Sequence, residues 1–91
     1  MMNNSQHEIM AIAQEECAEV IQAISKVFRF GFSGKHPDES YNNREHLAVE
    51  LGDLQCMIDL MIEQGLVEHE DVMLAAEAKR EKLKVWSNIF K

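Results

Sequence analysis

Long apolar runs are missing from this sequence. It has no uninterrupted stretch of about 18 apolar residues, and no charged-then-apolar leader pattern, so no membrane-spanning helix is expected and the chain is placed in the cytoplasm. Cysteine is scarce. Cys17 and Cys56 are far apart and form no Cys-x-x-Cys pair, which excludes a zinc knuckle or a redox dithiol and leaves them as buried or half-buried free thiols. His7, His36, His46 and His69 lack both His-x-x-x-His spacing and a cysteine partner, so all four are expected at the surface rather than as metal ligands. Positive charge is in short supply too: 9 Lys and Arg face 16 Asp and Glu, for a net charge of −7. Such a balance excludes sequence-independent binding to a nucleic acid polymer and docking on an anionic membrane. Proline occurs once, at Pro37, beside Gly31 and Gly34 in the main loop. No internal repeat or low-complexity segment is present.

What the sequence has is helical periodicity. Its 91 residues make one domain, 1–91, and 46% of them are hydrophobic. Ile9, Ile12, Ala13, Val20, Ile24 and Val27 share one side of a 3.6-residue wheel, which predicts a first helix from Ser5 to Phe30. Ser5 and Glu8 fit a capping box, Asn3 and Asn4 are expected to fray, and Gly31 is the natural stop. A second helix starts between Asp38 and Asn43, with room for a short extra turn before it. Leu47, Leu51, Leu54, Ile58, Met61 and Ile62 form its main stripe, while Val49, Cys56, Met57 and Leu60 fall outside that stripe. Apolar residues on more than one side predict burial on more than one side. A third helix begins near Glu68 to Asp71 and runs to Trp86, with Lys79, Arg80, Lys82 and Lys84 in its later turns, where the helix dipole favours cations. The expected architecture is an all-α antiparallel bundle of three main helices. So few elements cannot surround a core, so a homodimer or homotetramer is expected to complete it.

The acids break the pattern. Glu16 sits in the middle of the first apolar side, four residues from both Ile12 and Val20, and Glu19 lies at its edge. Glu50 and Asp53 repeat the i,i+3 spacing in the second helix. Carboxylates on a core-facing side are costly unless something compensates them. Two convergent pairs on antiparallel helices meet mid-bundle and offer only oxygen donors, which suits a hard cation, Mg²⁺ or Mn²⁺. No Glu-x-x-His occurs at these positions, which argues against di-iron chemistry. Magnesium beside carboxylates favours phosphate oxygens as further ligands, so hydrolysis of a phosphate ester or anhydride is the chemistry indicated. Lys79 lies on the same side as Val72, Ala76 and Leu83, and either snorkels to solvent or points toward the acids or a bound phosphate. Phe28, Phe30 and Phe32 offer either a contact surface for another helix or a wall for a flat base. Lys35 and His36 in the loop are candidates for holding phosphates.

Glu15-Glu16-x-x-Glu19 followed by Glu50-x-x-Asp53 resembles the signature of the MazG-like, all-α nucleoside triphosphate pyrophosphohydrolases. Glu-Cys-Ala-Glu-Val-Ile-Gln-Ala in the first helix and Val-Glu-Leu-Gly-Asp-Leu in the second extend the likeness, clear from Ile9 to Leu60. The gap between the acid pairs is longer here than in the family pattern. The resemblance implies Mg²⁺-dependent hydrolysis of a nucleoside or deoxynucleoside triphosphate to the monophosphate and pyrophosphate. It implies metal ligation by Glu16, Glu19, Glu50 and Asp53, and a role for Glu15 in positioning or deprotonating water. Lys79 and Lys82 are the implied phosphate contacts, with Asn43 and Phe28 as base contacts, and the implied assembly is a dimer or tetramer. A phosphoribosyl-ATP hydrolase is a near rival, although the second helix lacks the Ala-Asp-Leu-Leu-Tyr-His style expected there. A non-catalytic helical dimerisation module holding a structural cation is the reading from another class.

Overall fold

Three helices and no strand make up the fold of the computed structural model, which describes residues 1–91. They are α1 (Asn4–Phe30), α2 (Asn43–Glu63) and α3 (His69–Trp86).

The start of α1 differs from the sequence expectation. Asn3, not Ser5, is the N-cap: its side chain accepts from Gln6 N at 2.8 Å, and Gln6 Oε1 accepts from Asn3 N at 3.0 Å. The Gln6 amide then donates to Gln64 O at 2.9 Å, a tie to the end of α2 that capping by Ser5 and Glu8 does not offer. Asn3 and Asn4 are therefore ordered into the cap rather than frayed. At the other end Gly31 takes a φ of +80°, which a side chain would resist, and its N–H closes on Val27 O. A matching box of Asn42 and Glu45 opens α2. No short helix precedes it; Pro37 and Asp38 form only a turn.

Asn43 fixes how α2 leaves the loop. Its N–H donates to Gly34 O at 2.8 Å. Its buried amide donates to Gly31 O at 3.0 Å and Lys26 O at 3.5 Å, drawing the loop onto the end of α1. The fit is close at Gly34, where an added Cβ would stand 2.6 Å from Phe30 O.

The bond from Gln6 to Gln64 joins the start of α1 to the end of α2, so the two helices run antiparallel, and it marks their register. Positions whose numbers add to about 70 lie level across the pair, so Ala13 faces Met57 and Glu16 faces Leu54. The buried apolar residues are Ala13, Ala23 and Met57. Alanines at this seam let the two axes approach closely, since interaxial distance follows side-chain size. Met57, expected outside the main stripe, is the buried apolar residue of α2; Leu47, Leu54, Ile58, Met61 and Ile62 of that stripe are half-buried, while Leu51 is 48% exposed and Ile24 of α1 40%. The register explains both: the seam follows positions three and four apart from Asn43 through Glu50 and Leu54 to Met57, which rotates Leu51 outward.

No three-helix bundle forms within one chain. α3 has no buried residue. The molecule measures 45 × 38 × 14 Å, and its thickness is little more than the ~10–12 Å diameter of one helix, so the helices lie in a single layer. Its radius of gyration is 16.1 Å, against about 12 Å for a compact chain of this length. A single layer leaves large apolar groups uncovered, among them Phe28, Ile21, Trp86 and Val85. Cys17 and Cys56, expected to be at least half-buried, are exposed for the same reason. In the tail Phe90 packs under Arg80, whose guanidinium carbon is 5.0 Å from the ring centre, while Ile89 stays exposed.

Candidate metal centre

The seam register carries the acids to one place. Glu16 lies level with Leu54, so Glu50 and Asp53 sit within a turn of it on the facing helix. Glu16, Glu50 and Asp53 each present a carboxylate oxygen, and these oxygens all lie within 4.8 Å of one another. Opposite ligands of an octahedral magnesium stand about 4.2 Å apart, at 2.0–2.1 Å from the ion. Small side-chain rotations therefore suffice for three hard oxygen donors to share one cation, and the donor set fits Mg²⁺ or Mn²⁺. Glu16 and Glu50 are half-buried and Asp53 is exposed.

Glu19 does not join this trio. It lies level with the outward-turned Leu51 and is exposed. It nonetheless adds to the negative field on Glu16, as does the exposed Glu15. Partial burial, then the charges of Asp53, Glu50, Glu19 and Glu15 in that order, raise the Glu16 carboxyl above its ordinary value of 4.5. A carboxyl that holds its proton more tightly in the folded chain stabilises that chain below its unfolded pKa. The contribution is lost as pH rises through the raised value. In chelator, the urea midpoint of the wild type is expected to carry this downward component with rising pH, and Glu16→Gln to lack it. Equal slopes in the two proteins would refute the placement.

The other expected site residues lie apart from the acids. Lys79 and Lys82 are exposed on α3. The ion pairs of the structure are His36–Asp38, His46–Glu50 and Lys84–Glu81, so neither lysine reaches the acids within one chain. Phe28 is 86% exposed and does not line the loop cavity. Asn43 lines that cavity, about 440 Å³ in volume, together with Lys26, Phe30, Lys35, His36 and Glu39. Asn43 lies seven positions before Glu50, about 10 Å of helix at 1.5 Å per residue.

One residue at the site escaped the sequence reading. His46, expected at the surface, is half-buried and bonds to Glu50. The signal was available: His46 precedes Glu50 by four positions, the spacing that puts two side chains on one helix face.

A family model for the MazG nucleotide pyrophosphohydrolase domain matches residues 4–84. The chain belongs to this family. The match covers all of α1 and α2 and nearly all of α3, so the MazG domain takes in both the carboxylate trio and the detached third helix. Comparison with curated proteins and with solved structures gave no match.

Proposed function

We propose that this MazG-family chain hydrolyses a nucleoside or deoxynucleoside triphosphate to the monophosphate and pyrophosphate, with Mg²⁺ held by Glu16, Glu50 and Asp53. The observation that carries the proposal is the convergence of these three carboxylates across the seam, in a chain of this family. Nothing in the packing neutralises Glu16 or Asp53: no Lys or Arg pairs with either. A bound cation would offset the substrate's charge and lower the pKa of an attacking water. Glu19, one turn from Glu16, reaches the ion by rotating inward or through a bridging water. Glu15 orients the water and accepts its proton as the α–β anhydride bond breaks. Pyrophosphate release from a panel of dNTPs and NTPs under Mg²⁺ or Mn²⁺ tests the reading. Turnover of at least one is expected; none with any nucleotide would favour the dimerisation module.

The loop cavity suits the nucleoside end. It lies about 10 Å along α2 from Glu50, comparable to the span from a nucleotide's phosphates to its base, and Phe30 supplies an aromatic wall. Asn43 lines the cavity as well, with its amide nitrogen already bonded to Gly31 O and Lys26 O. Phe30→Ala is expected to raise KM several-fold with little change in kcat. An unchanged KM for the preferred substrate would remove the cavity from the site.

Lys79 and Lys82 contact phosphates from a second copy, and Phe28 lies on the surface that such a copy covers. The support is the single-layer shape, which leaves Phe28 and Trp86 over four-fifths exposed. Sedimentation at micromolar concentration is expected to give a dimer or tetramer. A monomer throughout would contradict this assembly and the role of the lysines together.

A further inference from the structure

His46 stands one turn before Glu50 on α2. Its Nε2 is 3.2 Å from Glu50 Oε1, and each of the two side chains retains only 13% of its exposure. Its other ring nitrogen, Nδ1, is buried without a partner. A carboxylate can only accept, so Nε2 carries the hydrogen, a role assigned from the hydrogen-bond network. The Tyr41 ring lies beside that of His46, its centre 5.6 Å from that of the imidazole and its plane tilted by 38°.

This arrangement differs from an ordinary i,i+4 surface pair. A surface pair keeps both polar ends in water and contributes little. Here the ring is held inward although one nitrogen goes unsatisfied, and its one bond goes to an acid of the trio. Glu50 needs such a restraint. The charges of Glu16 and Asp53 repel it, and a glutamate has three side-chain torsions with which to swing away into solvent.

We propose that His46 is a positioning residue: its Nε2–H holds the Glu50 carboxylate in the rotamer that keeps it beside Glu16 and Asp53, ready for a divalent cation. The inference rests on the reading of these acids as a cation site. Outer partners that orient a metal's ligands typically change affinity by about 10–100-fold when removed.

The test is Mn²⁺ affinity of the full chain without nucleotide, read from the electron paramagnetic resonance signal of free Mn²⁺. His46→Gln places an amide N–H near the position of Nε2; His46→Asn places one near Nδ1 and falls short of Glu50. Wild type and His46→Gln are expected to bind within about threefold of each other, with His46→Asn at least about tenfold weaker and helicity by circular dichroism unchanged in all three. If His46→Asn does not fold, His46→Leu, which keeps the bulk without a donor, takes its place with the same expected loss. Equal affinity of His46→Asn and wild type would overturn the positioning role and leave the metal site standing. Equal weakening by Gln and Asn would overturn it as well, since ring shape rather than the donor would then matter. Failure of the wild type to bind Mn²⁺ would overturn this inference together with the proposed function.

Discussion

Glu50→Gln is expected to cut pyrophosphate release by more than about 100-fold, beyond the range for loss of an outer-sphere partner. The substitution is nearly isosteric. It keeps an oxygen that can accept from His46, as Glu50 does at 3.2 Å, so the α1–α2 seam should survive. What it removes is the charge. Gln presents a neutral carbonyl, a weaker ligand for a hard cation than an anionic oxygen, and two carboxylates remain of the three that lie within 4.8 Å of one another. Helicity and oligomeric state should match the wild type. Relief of repulsion on Glu16, whose carboxyl is raised partly by Glu50, should even stabilise the metal-free protein slightly. Turnover retained within a few-fold of wild type would remove Glu50 from the reaction.

Magnesium should raise the melting temperature substantially. The carboxylate trio exists only in the folded pair of helices, because Glu16 comes from α1 and Glu50 and Asp53 from α2. An ion that binds the folded chain alone, at 100 times its dissociation constant, stabilises by about 2.7 kcal/mol. For a domain of 60–100 residues each kcal/mol shifts the midpoint by about 4–8 °C, so an increase on the order of 10–20 °C is expected. The shift should be absent from Glu50→Gln and small with potassium at equal ionic strength. The latter separates site binding from general screening of the net −7 charge. A melting curve indifferent to saturating Mg²⁺ would mean that the acids do not form a cation site.

Sequence periodicity located the helices because each carries strong local signals. Gly31 ends α1 where a positive φ is needed, and Asn42 caps α2. The acids were legible because Glu16 interrupts an apolar side, and an interruption of that kind calls for compensation. Helix rotation was harder to read. Met57 and Leu51 are both apolar and lie on different faces of α2, and composition does not say which one meets α1. The packing of α1 on α2 decides it, and that pairing joins residues as far apart in sequence as Gln6 and Gln64, 58 positions. The rotation of the helices also leaves Glu19 out of the trio and sets His46 against Glu50, a distinction that i,i+3 spacing alone does not make. The position of α3 was illegible for a different reason. Its amphipathic pattern predicts a buried face but does not specify whether the partner belongs to the same chain, and within one chain nothing buries it.

The most direct measurement is anomalous X-ray scattering from crystals soaked in Mn²⁺. The account predicts one or more strong peaks between the carboxylates of Glu16, Glu50 and Asp53, at a metal–oxygen distance of about 2.1–2.2 Å. Crystals with ordered side chains and no peak there at saturating Mn²⁺, or with manganese bound only at other acids, would contradict it.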